Sequence, residues 1–70
     1  MSDPLDQQLL AAHAANDMPT LIALYCQAAE TAPTDEVRGF FLTHAYVFAL
    51  EIGDTRASDL RQELSQMGRD

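Results

Sequence analysis

Residues 40–53 read FFLTHAYVFALEIG, a nearly unbroken apolar run in a chain of 70 residues. Three roles are open to such a run: a membrane, a core or a partner. It falls short of the roughly 18–20 apolar residues of a transmembrane helix, and Thr43, His44 and Glu51 interrupt it. No membrane association is expected. The flanks are helix punctuation. Thr34 is a good N-cap, and Asp35 and Glu36 place acids in a first turn, where they complement the helix dipole. Gly53 is a natural C-terminal stop, and Asp54 can at once cap another helix. The run therefore reads as the body of a helix from Thr34 to Ile52, the centre of a small helical protein.

Working outward, every other segment is also helical. Asp3-Pro4 is a start signal, since Asp can cap and Pro suits the first helical position. Leu5, Leu9 and Ala12 follow as a narrow apolar stripe that should end near Ala15 or Asn16. Asp17 caps the next helix, with Pro19 softening the boundary. There Leu21, Ile22, Leu24, Tyr25, Ala28 and Ala29 form one face and Thr20, Ala23, Gln27 and Glu30 the other. Thr31-Ala32-Pro33-Thr34 breaks the chain. After Asp54, Ala57, Leu60, Leu64 and Met67 make a single stripe that Gly68 ends. The fold class is all-α: one domain over residues 1–70, four helices with very short connections. Short connections make consecutive helices antiparallel neighbours.

The chain also repeats itself weakly. Asn16-Asp17 and Gly53-Asp54 stand in the same place between two helices, and the stripe Leu21, Leu24, Ala28 has the spacings of Ala57, Leu60, Leu64. On these residues the chain resembles the tetratricopeptide repeat family. Asn16-Asp17 stands where that family commonly has Gly-Asp, Tyr25 at its second-helix aromatic, and Ala28 and Pro33 at its late alanine and closing proline. The second unit departs more: its first helix is long, and no proline follows Gly68. The resemblance implies two stacked antiparallel hairpins offering a groove to a peptide or protein. Two units are fewer than the roughly three such stacks usually need, which points to self-association or a capping helix.

Composition narrows the function. The net charge is −7, there is no lysine, and the only cations are Arg38, Arg56, Arg61 and Arg69. Nucleic-acid binding draws on Lys and Arg to displace counterions, so it is not expected, nor is an anionic membrane surface. The sequence MSDPLDQQ has neither the basic nor the apolar region of a secretory signal. Arginine without lysine and abundant alanine fit a bacterial protein, and a lone cysteine fits a reducing, cytoplasmic compartment.

No catalytic constellation stands out. His13, His44 and Cys26 lack zinc-ligand spacing, so neither metal nor cofactor is expected. Cys26 is mid-helix in an acidic chain, where burial as a small hydrophobe suits it better than reactivity. The carboxylates, Asp59 and Glu63 among them, read as a solvated face rather than an acid–base pair. His44 lies on a wheel between Val37, Phe40, Val47 and Phe48. A packed histidine donating one ring proton to a carbonyl or carboxylate is the plain expectation, a ligand contact the sharper one.

The third helix is apolar almost all round, and a helix apolar on every side is buried. Its neighbours should cover Val37, Phe41, Phe48 and Ile52, leaving Leu42, Tyr46, Ala49 and Leu50 as the partner-binding side. Exposed apolar patches usually mark interfaces. The expected function is a small non-enzymatic interaction module, an adaptor or accessory subunit, forming a homodimer or gripping another protein through this helix. The alternative is a small-ligand or metal sensor using His44, Cys26 and Tyr25.

Overall fold

A computed structural model describes residues 4–68. It holds four helices: α1 Pro4–Ala14, α2 Met18–Glu30, α3 Asp35–Ile52 and α4 Arg56–Gln66. The expected Asp3 cap lies outside the described residues. The other caps are built as the sequence reads. The Asp17 carboxylate accepts from the Thr20 amide and, at 2.6 Å, from its hydroxyl. The Thr34 hydroxyl accepts from the Val37 amide at 3.2 Å. The Asp54 carboxylate accepts from the Arg56 amide at 2.8 Å, one residue earlier than the formal start of α4 would place it.

The two turns singled out in the sequence share one geometry. Asn16 and Gly53 are both left-handed, at φ 54° and 66°. Behind them the amide of Asp17 donates to the Ala12 carbonyl, and that of Asp54 to the Ala49 carbonyl, at 2.9 and 2.8 Å. The amides of Asn16 and Gly53 close the inner bonds to His13 and Leu50. These paired bonds are Schellman motifs, which satisfy carbonyls that a helix end would otherwise orphan. Each turns the chain sharply, so α1 packs on α2 and α3 on α4.

Packing runs from each helix to the next: α1 on α2, α2 on α3, α3 on α4. The Cα envelope is 33 × 29 × 11 Å, so the molecule is a slab with two broad faces. Two apolar clusters fill it. One gathers Ala12, Leu21 and Leu24 between α1 and α2. The other gathers Ile22, Ala29, Leu42, Ala45, Ala49, Leu60 and Leu64 across α2, α3 and α4. Tyr25 and Phe48 pack against both and join them.

The packing of α3 reverses part of the expected face. Leu42 and Ala49, expected on the open side, are 2% and 0% exposed. Tyr46 is half-buried against the larger cluster, and of that set only Leu50 is open. Ile52, expected to be covered, is exposed at the last residue of the helix, while Val37, Phe41 and Phe48 are half-buried. The reason is steric. Gly39, Ala45 and Ala49 are small, and with Leu42 they form the strip that α2 and α4 approach. Close approach of two helix backbones favours small residues at the seam. The large side chains are thereby displaced to the flanks or outward, and the exposed apolar residues of α3 are Phe40, Val47, Leu50 and Ile52. None of the four helices is long and apolar enough to cross a membrane.

Candidate functional site

Two regions could do more than hold the fold. The larger is a cleft of about 660 Å³ lined by Cys26, Ala29, Pro33, Arg38, Leu42 and Glu63, among others. Glu30 and Asp35 also line it, and its one cation is paired: Arg38 donates to Glu63 at 2.7 Å, and both side chains are 40% exposed. An ion pair so open to water contributes little, about 0–1 kcal/mol. Cys26 is half-buried there. Burial pushes its thiol pKa up, with Arg56 pulling the other way and Glu63 and Glu30 adding to the rise. A thiol so placed stays protonated and unreactive at neutral pH. Among the described residues no buried side-chain nitrogen or oxygen lacks a hydrogen-bond partner.

The second region is the side of the slab where α1 and α3 flank α2. Tyr25 is its centre. Its hydroxyl and His13 Nε2 are 3.1 Å apart. Its ring stacks on His44 and on Phe48, with centroids 5.2 and 5.8 Å away, and tilts against Phe41 at 6.3 Å. His13 meets Phe48 edge-on at 6.0 Å, carrying α1 across to α3. Phe40 continues the group outward, 4.4 Å from the His44 ring. Such offset and edge contacts are each worth about 0.5–1.5 kcal/mol beyond their area.

His44 takes the packed role expected of it. Its Nδ1 lies 2.9 Å from the Phe40 carbonyl, one turn back along α3. A carbonyl only accepts, so Nδ1 carries the proton. A small hollow of about 180 Å³ opens beside it, lined by Thr43, His44, Val47 and Phe48.

Helical spacing sets what borders this group. On α3, Glu36, Phe40, Thr43, Val47, Leu50 and Glu51 fall on one stripe, opposite buried Leu42, Ala45 and Ala49. Phe40, Val47 and Leu50 are 57%, 46% and 56% exposed. On α1, Leu10 lies one turn before His13 on the same side and is 69% exposed. The arrangement is an aromatic floor with apolar side chains standing on both helices beside it.

The residues of the sensor reading separate. Tyr25 and His44 stack, but Cys26 lines the other cleft, with Arg38 and Glu63. Among the described residues no group of three His, Cys, Asp or Glu side chains is placed to hold a metal ion. Of the Phe40–Val47–Leu50 stripe only Leu50 was expected on the partner-binding side; Phe40, Val47 and the His13–Tyr25 pair were not anticipated. A signal for the stripe was present: the small residues Ala45 and Ala49 mark the seam, and the exposed stripe lies on the other side of the helix. Comparison with protein-family models, with curated proteins and with solved structures gives no match, so the reading of this site rests on its own geometry.

Proposed function

We propose that this chain is a small non-enzymatic docking module, and that it binds another protein through the aromatic and apolar side built from α1 and α3. The observation that carries the reading is the set Phe40, Val47 and Leu50, three large apolar side chains on one helix stripe, each about half exposed. Single exposed apolar residues are ordinary, but a contiguous group beside an aromatic cluster is characteristic of an interface. Covering the half of each that is still exposed is worth about 1 kcal/mol apiece, a sizeable sum beside the marginal stability of so small a domain.

The repeat-like reading belongs with this proposal. The two matching Schellman turns and the helix-to-next-helix packing support it. In stacked helical hairpins each unit leans only on its neighbours, so open apolar sides persist until a partner covers them.

The test is affinity capture from the native source with two variants. Val47→Glu places a charge in the stripe, whereas Arg61→Glu changes an exposed position on α4. A partner retained by the wild type and by Arg61→Glu, and lost with Val47→Glu, supports the module. Equal capture by all three places the docking surface elsewhere.

A further inference from the structure

We infer that the occupant of this face is a cationic amphipathic segment of another protein, one that brings an apolar stripe flanked by Arg or Lys, rather than a second copy of this chain. The inference rests on the docking reading above and adds the chemistry of the partner. Charge distribution carries it. No arginine or lysine precedes Arg38, so α1 and α2 hold none. Two of the three described cations of the second half are engaged in ion pairs, and the third lies on α4. Arg38 is paired with Glu63 across α3 and α4. Arg56 is held by Asp54 at 2.8 Å and reaches the Pro19 carbonyl. Arg61 is on the exposed side of α4, next to buried Leu60 and one turn before buried Leu64.

The docking face therefore has acids at its border and no cation along it. Glu36 and Glu51 bracket the α3 stripe, about 22 Å apart at the helical rise. Asp6 stands one turn before Leu10 on the same side of α1. All three are exposed. The open ring of Phe40 adds a π face. Each of these groups is satisfied by an N–H-bearing cation. A second copy would bring the same acids to the same border, with a net charge of −7 on each partner, and like charges at a rim oppose association.

Two fluorescein-labelled amphipathic peptides of equal length test this, one of leucine and lysine and one of leucine and glutamate, titrated with the full chain by fluorescence anisotropy. The account expects saturable binding of the leucine–lysine peptide, no binding of the leucine–glutamate peptide, and severalfold weakening as salt is raised. Glu36→Gln combined with Glu51→Gln should weaken binding severalfold, and Asp59→Asn on α4 should leave it unchanged. Equal binding of both peptides, abolished by Phe40→Ala, overturns the cationic partner while sparing the docking face. Binding that ignores Phe40→Ala and responds equally to Asp59→Asn marks general attraction to an acidic protein and overturns the inference and the docking face together. Sedimentation over a wide dilution range supplies the last arm: a dimer that Phe40→Ala dissociates makes the second copy the occupant.

Discussion

Tyr25 of α2 stacks on His44 of α3 with ring centroids 5.2 Å apart, and on its other flank its hydroxyl meets His13 of α1 at 3.1 Å. One side chain thus ties three helices together, and it packs against both apolar clusters. Removing only the hydroxyl, as in Tyr25→Phe, should cost about 0.5–1.5 kcal/mol, because the lost bond lies near solvent and water can replace it. Tyr25→Ala should cost about 3 kcal/mol or more, since the ring contacts go as well. Urea unfolding followed by circular dichroism separates the two. Equal losses would mean that the hydrogen bond, and not the stack, holds α1 to the rest.

The seam of α3 makes a second prediction. Ala45 and Ala49 are fully buried where α2 and α4 close on the helix. Ala49→Leu forces bulk into that seam and should destabilise by about 1–3 kcal/mol. Leu42→Ala should cost about 2–5 kcal/mol. Leu50→Ala should leave stability within about 0.5 kcal/mol, since its side chain faces outward, and Phe40→Ala should cost about 0.5–1.5 kcal/mol, the worth of its ring contact with His44. Chemical denaturation of the four variants is the measurement. The reverse ranking would restore Leu42 and Ala49 to the open side.

Much of this fold can be read from residues, and the part that cannot has a physical cause. Thr34, Gly53, Asp17 and Asp54 act locally, through side-chain or backbone bonds to residues a few positions away, so their roles follow from type and spacing. The stripes of α2 and α4 are one-sided and equally legible. In α3 the apolar residues surround the axis, so periodicity does not say which side meets the neighbours. That choice is made by how closely helices can approach, and Gly39, Ala45 and Ala49 decide it by being small. The meeting of His13 with Tyr25 depends on how α1 lies against α2, which no local pattern encodes.

Gly53 makes a third prediction. Its φ of 66° is left-handed, and a Cβ added there would meet nothing within 4 Å. Gly53→Ala should therefore cost only the backbone term, about 1–2 kcal/mol. Gly53→Asn should cost less, because asparagine tolerates this conformation, as Asn16 already shows in the matching turn. Thermal unfolding of the two variants checks the order. A larger loss for asparagine than for alanine would contradict the equivalence of the turns.

The Asp54–Arg56 pair sets a pH dependence. Hydrogen bonds from the Arg56 side chain and amide hold the Asp54 pKa down at about 2. A depressed carboxylate contributes stability that is complete above its ordinary value near pH 4 and is lost as pH falls toward about 2. The carboxyl carbon of Asp54, followed by NMR, should titrate near that low value. The advantage of the wild type over Asp54→Asn should shrink across the same window. A midpoint in the ordinary aspartate range would mean that the pair does not persist in solution.

The most direct measurement of the proposed docking face is amide chemical-shift mapping of the full chain titrated with the leucine–lysine peptide. The account predicts that shifts concentrate at Leu10, His13, Phe40, His44, Val47 and Leu50, with α4 and the cleft around Cys26 and Arg38 quiet. Shifts gathered instead around Cys26, Arg38 and Glu63 would contradict it and assign binding to the opposite cleft.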